Sequence, residues 1–203
     1  MKLYFSPGSL GLAPQIALRE AGRDFELVRV DFRTKTTVEG DYFKVTPKGF
    51  VPALKLDDGD VITEAPVVLQ WIADHSPESK LMPARDSPEH YRALEWLNYV
   101  ATDIYKGYHT LFSPFLDVDS KIRYIQGYLA PRFGYLDEHL SKNEYLLESG
   151  FSVADAFLFN ILSWSPRVRV DPSGFTSIQR FIVQMSQRPT VQASLKAEGI
   201  SLE

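Results

Sequence analysis

The sequence predicts a small α/β domain followed by an all-helical domain. Three observations carry this. Over the first eighty residues, short apolar runs bounded by turn residues are interleaved with two stretches of helical spacing. Ser76–Pro88 then interrupts the pattern with Pro77, Pro83 and Pro88 among Ser76, Ser79 and Ser87, a linker composition. Beyond it every apolar pattern has helical spacing and no convincing strand occurs. At 203 residues the chain has room for one large domain or two small ones. The interruption places them at 1–80 and 87–203.

Lys2–Phe5 is an apolar run closed by Ser6-Pro7-Gly8, hence a strand entering a turn. Leu12, Ile16, Ala17 and Ala21 follow helical spacing up to a stop at Gly22. Pro14 falls in the first turn, where its missing N–H costs little. Phe25–Val30 alternates apolar and polar residues as a half-buried strand does. A loop follows, with a short helix near Tyr42. Ala53–Leu56, the turn Asp57-Asp58-Gly59-Asp60 and Val61–Thr63 read as a β-hairpin. Val68, Leu69, Ile72 and Ala73 then predict a helix over Ala65–Asp74. After the linker, Leu94, Leu97, Ala101, Ile104 and Leu111 form the stripe of one long helix over Tyr91–Leu111. Further helices are predicted at Ile122–Leu140, Val153–Ser163, Ser177–Ser186 and Val191–Ala197. Ser152 and Asp155 have the spacing of a capping box at the head of the Val153–Ser163 helix, with Asp in place of the usual Glu.

Composition removes several function classes. Lys plus Arg is 22 and Asp plus Glu 26, a net charge of -4 without a basic cluster, which argues against nucleic acid and anionic membrane as partners. Cys is absent, so disulfides, thiolate metal sites, iron–sulfur clusters and a Cys nucleophile are excluded. His75, His90, His109 and His139 are scattered without metal spacing, and no metal is expected. The N-terminus lacks the apolar segment of a signal peptide, and no run reaches the length of a membrane span. The expectation is a cytoplasmic protein.

Several strings carry a resemblance. They are M-K-L-Y-F-S-P-G-S-L at the start, D-F-R-T-K-T at 31–36, T-P-K-G-F-V-P-A-L at 46–54, T-E-A at 63–65, E-W-L-N-Y at 95–99 and F-S-V-A-D-A at 151–156. In this order and spacing, and over essentially the whole length, the chain resembles a glutathione S-transferase of the bacterial beta class. The resemblance implies a thioredoxin-like N-terminal domain, a helical C-terminal domain, a homodimer, and an active site near the domain cleft. The implied substrates are glutathione and a small electrophile.

It also implies roles for particular residues. In V-P-A the Val51–Pro52 bond is cis, and the Val51 N–H and C=O turn outward to hold the cysteinyl part of glutathione, beside Phe50. A structural X-Pro turn is the alternative. In T-E-A, Glu64 pairs with the γ-glutamyl amine and the Ala65 N–H takes the carboxylate, as a helix N-terminus suits an anion. Many members have Ser where Ala65 stands; a capping carboxylate is the other reading of Glu64. Lys35 matches a basic position that reaches the glycyl end, with a solvated loop Lys as the alternative, and Asn98 a position near the ligand. Helical spacing puts Asn98, Thr102 and Tyr105 on one face. That face either looks toward the first domain or packs as an ordinary helix.

The beta class has Cys at the position of Leu10 and His at that of Tyr105. A different thiol activator is therefore required, since a free thiol has a pKa of about 8.5. The hydroxyl candidates are Ser9, Tyr4, Ser6 and Tyr105. Ser9 is best placed, in the loop Gly8–Gly11 that leads into the first helix; it is equally a turn-stabilising Ser. Alternation along the first strand buries Tyr4. His109, one turn beyond Tyr105, is a possible substitute for the class His, with a surface His as the alternative. Tyr105, Tyr108 and Phe112 either line an apolar pocket or pack in the core, while Trp71, Trp96 and Trp164 read as core. Three functions remain open: an enzyme joining glutathione to an electrophile, a non-catalytic glutathione or ligand binder, and an interaction module on the same fold.

Overall fold

A computed structural model describes residues 1–201. The chain divides into two compact units. One is Met1–Met82 with the segment that starts at Arg188, and the other is Pro83–Gln187.

The first unit is built on a four-stranded mixed sheet of order β2-β1-β5-β6. β1 (Lys2–Phe5) runs parallel to β2 (Glu26–Arg29) and antiparallel to β5 (Ala53–Lys55), and β5 pairs antiparallel with β6 (Val61–Thr63). The parallel pair needs a crossover, which α1 (Leu12–Glu20) supplies. α2 (Ala65–Asp74) leaves β6 and packs on α1. Alternation decides what each face buries. Tyr4, Val28, Val30 and Ala53 share a cluster with Tyr42 and Val51, whereas the intervening Leu3 and Leu54 are also fully buried, on the opposite side of the pleat. Tyr42 heads a short 3-10 helix, Tyr42–Lys44, near the position the sequence predicts. Just before it lies a hairpin with no clear sequence signal, β3 (Thr36–Thr37) and β4 (Gly40–Asp41). Two-residue strands are too short for a period of two to show.

The second unit is helical. The predicted helix Tyr91–Leu111 is α3 (Pro88–Tyr99), a π-helical stretch Val100–Tyr105, and α4 (Lys106–Leu111). The predicted helix Ile122–Leu140 is α5 (Val118–Tyr124), a π-helical stretch Ile125–Leu129, and α6 (Ala130–Lys142). A π turn bonds i to i+5, so it shifts the stripe by about one residue without erasing it. α7 (Val153–Leu162) is buried along its whole length. The capping box forms as predicted: Asp155 Oδ2 accepts from the Ser152 N–H at 2.8 Å and the Ser152 hydroxyl at 2.7 Å. Asp155 Oδ1 accepts from the Leu146 N–H at 2.8 Å, and burial pushes the carboxyl up to about 6. α8 (Ser165–Val168) and α9 (Thr176–Ser186) follow.

The last helix, α10 (Pro189–Glu198), differs from the expected division. The linker places it with the helical domain; the structure packs it on α1 in the first unit. An apolar face does not name its partner. The choice is made by α1, whose Glu20 meets Arg188 at 2.9 Å.

Candidate functional site

Register gathers the N-terminal candidates. Tyr4 pairs with Ala53 and Ala53 with Thr63. The exit of β1 (the Ser6–Gly11 turn), the entry to β5 (Phe50–Val51) and the exit of β6 (Glu64–Ala65) therefore lie at one end of the sheet. The parallel β2 ends there as well, with the Val30 N–H bonded to the Phe5 C=O at 2.7 Å. The loop holding Lys35 starts at that point.

The Val51–Pro52 bond is cis, as the resemblance implies. The Val51 side chain is buried, and its N–H and C=O have no hydrogen-bond partner among the described residues. The Phe50 ring beside it is 65% exposed, while its C=O accepts from the Tyr42 hydroxyl at 2.9 Å. Lys35 is not a loosely solvated loop residue. Its Nζ donates to the Gly49 C=O at 2.8 Å and sits 3.5 Å from the Phe32 ring centroid and 5.4 Å from that of Phe50. Asp31 shapes that loop, its Oδ1 accepting from the Arg33 and Thr34 N–H groups, and these bonds hold its carboxyl below the usual range. Gly49 has φ +63, and a Cβ there would meet Phe43 at 2.7 Å, so this corner of the loop requires glycine.

Glu64 precedes α2 with φ +71, a conformation rare for a residue with a side chain. Its carboxylate does not cap the helix. It points outward and accepts from Lys48 Nζ at 2.5 Å. The same Nζ reaches Thr63 Oγ1 at 3.2 Å. The structure thus sets aside the capping reading of Glu64 and shows a carboxylate already holding an ammonium group. Ala65 is buried, and its N–H opens α2 without an acceptor among the described residues. Lys48 was not singled out by sequence, although it lies within T-P-K-G-F; a lone exposed Lys gives no signal until its partner is placed.

In the Ser6–Gly11 turn, Ser9 Oγ accepts from the Gly11 N–H at 3.2 Å and the Ser6 N–H at 3.4 Å, while the Ser9 N–H bonds the Ser6 C=O at 3.0 Å. The turn therefore uses this hydroxyl, and also fixes where it points. Gly11 lies against β1, since a Cβ there would fall 2.7 Å from Phe5 Cβ. Tyr4 is fully buried and donates to Glu39 Oε2 at 2.7 Å, with burial driving its hydroxyl pKa upward; it faces the sheet core, as alternation predicts.

The second unit holds Asn98 and Tyr105. Asn98 is exposed, and its C=O accepts from the Thr102 hydroxyl at 3.0 Å. The π-helical stretch begins at Val100, so the face drawn through Asn98, Thr102 and Tyr105 at α-helical spacing is offset by about one residue before it reaches Tyr105. The Tyr105 ring lies 5.4 Å from His109 and 5.9 Å from Trp164, whose other neighbour is Phe112 at 5.7 Å. Tyr108 belongs to the core: it is fully buried and shares a 2.7 Å hydrogen bond with Ser165 Oγ. Trp96 and Trp164 are buried and Trp71 half-buried. Among the described residues no group of three or more His, Asp or Glu could hold a metal ion. Among the described residues no helix is long and apolar enough to cross a membrane.

Comparison with known proteins gives two family models along the chain. "Glutathione S-transferase, N-terminal domain" matches residues 12–75 and "Glutathione S-transferase, C-terminal domain" residues 126–189. Glutathione S-transferase GstA of Escherichia coli O157:H7 is 41% identical over 98% of this chain and 100% of its own. A sphingomonad glutathione S-transferase solved in complex with glutathione is 39% identical, with a TM-score of 0.93 over 99% of this chain and 100% of that one. The bacterial beta class glutathione S-transferase of Sphingomonas chungbukensis is also 39% identical, with a TM-score of 0.92 over the same shares.

Proposed function

The chain belongs to the glutathione S-transferase family, and from that premise we propose that it binds glutathione along Lys35, Phe50, Val51, Glu64 and Ala65 and joins it to a small electrophile. The observation that carries this reading is the gathering of these residues and the Ser6–Gly11 turn at one end of one sheet. Each element suits one part of the tripeptide. The unpaired Val51 N–H and C=O suit an extended backbone added as a strand edge. Glu64 takes the γ-glutamyl amine where it now takes Lys48 Nζ. The Ala65 N–H at the start of α2 takes the α-carboxylate. Lys35 takes the glycyl carboxylate, and Phe50 is the apolar ledge beside it. Asn98 and Tyr105, which the resemblance also implies, belong to the helical unit. The protein works as a cytoplasmic homodimer with glutathione as a substrate and no metal.

The Ser9 hydroxyl and the N–H groups of its turn hold the sulfur as thiolate. A hydrogen bond to an ion contributes about 1.5–3 kcal/mol, which lowers a thiol pKa by about one to two units. N–H groups donating to Ser9 Oγ strengthen its O–H as a donor. The sulfur lone pair then forms the new bond to carbon. The electrophile either releases its leaving group with the bonding pair or, if unsaturated, takes up a proton at the neighbouring atom.

Retention on immobilised glutathione and turnover of a chlorodinitrobenzene test the reading. Ser9→Ala should move the pH–rate midpoint upward and slow turnover at neutral pH, and Tyr105→Phe should do less. Retention without turnover would favour a glutathione-binding protein without catalysis. That second reading has its own support, because Leu10 and Tyr105 stand where the beta class has Cys and His, and Ser9 Oγ serves its own turn. No retention at all would leave an interaction module.

A further inference from the structure

Tyr42 has no part in the function described so far, yet it is bonded to both loops that the glutathione reading uses. It opens the 3-10 helix Tyr42–Lys44 and is fully buried. Its N–H donates to the Lys35 C=O at 2.9 Å, and its C=O accepts from the Val45 and Thr46 N–H groups at 2.9 and 3.1 Å. Its ring lies 5.5 Å from that of Tyr4, in the cluster that also holds Val51 and Ala53. At the far end of the ring the hydroxyl donates to the Phe50 C=O at 2.9 Å. Burial drives its pKa upward, so the group stays a donor throughout the neutral range. Tyr4 does not compete for this acceptor, because its own hydroxyl goes to Glu39.

Apolar packing alone does not ask for a hydroxyl here. A Phe ring would fill the same space beside Tyr4 and Val51 and would need no acceptor. The consequence of the hydroxyl lies in the peptide group it holds. The Phe50 C=O and the Val51 N–H are the two ends of one such group. Among the described residues the cis bond is Val51–Pro52, so the Phe50–Val51 peptide is trans. In a planar trans peptide the C=O and the N–H point in opposite directions. A hydroxyl that draws the carbonyl toward the cluster therefore turns the Val51 N–H away from it, and that N–H has no partner among the described residues. The preceding carbonyl, of Gly49, is held by Lys35 Nζ at 2.8 Å. Two successive carbonyls are thus tied down just ahead of Val51, and the peptide between them and Val51 has little freedom to rotate.

We propose that Tyr42 is a positioning residue for glutathione: its hydroxyl, by holding the Phe50 C=O, aims the Val51 N–H at the cysteinyl main chain of the ligand. This rests on the reading that Val51 offers its N–H and C=O to glutathione as a strand edge. Tyr42 itself is buried and acts only through the peptide. Loss of its hydroxyl should weaken the grip on the tripeptide backbone and leave the bound thiol, held at the Ser6–Gly11 turn, as it was.

The test uses the full-length protein and two substitutions. Tyr42→Phe removes the donor and keeps the ring, and Tyr42→p-aminophenylalanine puts a donor back at the same place. Affinities for glutathione and S-methylglutathione are measured by calorimetry, and kcat and KM with a chlorodinitrobenzene. The pH dependence of thiolate ultraviolet absorbance reads the bound thiol, and urea unfolding reads stability. Tyr42→Phe should weaken both ligands about five- to tenfold, the equivalent of one neutral hydrogen bond, and raise KM for glutathione alike. At saturating glutathione kcat should stay within about twofold, as expected where only uniform binding is lost, and the thiol midpoint should not move. The amino variant should return affinity to within about twofold. Wild-type affinity for both ligands in a folded Tyr42→Phe would overturn the proposal whatever the urea midpoint, because a purely structural hydroxyl changes stability alone. A loss confined to glutathione with a shifted thiol midpoint would overturn it as well, since the hydroxyl would then act on sulfur. If Tyr42→Phe does not fold, the amino variant decides, because a loss of about fivefold or more with the donor kept would overturn the proposal equally. Absence of glutathione binding to the unmodified protein would overturn the functional reading and this proposal with it, and calorimetry distinguishes that failure before any variant is compared.

Discussion

Replacing Glu64 by Gly should make the protein more stable and a poorer binder at once. Glu64 holds φ +71, and such backbone conformations cost a residue with a side chain about 1–3 kcal/mol. Gly adopts them without that cost, at an added unfolded-state entropy of about 0.5–1 kcal/mol. Little else is lost. The Glu64 side chain makes no cap to α2, and its pair with Lys48 has 62% and 52% exposure on the two side chains, a setting in which a salt bridge contributes about 0–1 kcal/mol. The balance is a gain of about 1 kcal/mol, at most about 2.5. Binding moves the other way. The ligand amine loses its carboxylate, worth about 1.5–3 kcal/mol, or roughly ten- to hundredfold in affinity. Urea unfolding reads the first effect and calorimetric titration of glutathione the second. A purely structural Glu64 would give the opposite pair of results: lower stability with unchanged affinity would refute the assignment.

Glu198 makes stability depend on pH. Its carboxyl is raised from 4.5 to about 7 by burial, so its contribution is complete below pH 4.5 and is lost as pH rises through about 7. Glu198→Gln does not titrate, and its stability relative to wild type should increase by about 3 kcal/mol between about pH 4.5 and 8; urea midpoints whose difference is flat over that range would contradict this. Asp155→Ala should lose about 4 kcal/mol, because it strands the Leu146 N–H, the Ser152 N–H and the Ser152 hydroxyl in the core at about 1–3 kcal/mol each; a loss below about 1 kcal/mol would show that the site relaxes or admits water. Lys35→Met removes a cation held by Gly49 and flanked by Phe32 and Phe50, and should weaken glutathione binding about tenfold while changing stability by less than about 1 kcal/mol. Unchanged affinity in the titration would remove Lys35 from the site.

The sequence by itself determined whatever repeats locally. Lys2–Phe5, the hairpin Ala53–Thr63 and the helix Ala65–Asp74 are legible because period and turn residues are properties of neighbours along the chain. The Ser152–Asp155 cap is legible for the same reason: its partners are three residues apart. The linker Ser76–Pro88 is legible as composition, and the strings around Val51 and Glu64 as a family resemblance. Other features needed the tertiary structure, since each joins residues that the chain separates. Lys48 met Glu64 and Thr63 only when its loop reached the end of β6. Lys35 became more than a solvated lysine only when Phe32, Gly49 and Phe50 surrounded it. The π-helical stretches were hidden because an offset of one residue leaves an apolar stripe almost unchanged. α10 shows the limit most plainly: its pattern announces a helix with a buried face, but that face is satisfied by any complementary surface. Tertiary packing selected α1, and so placed Glu198 against Gly8, 190 positions away in the chain.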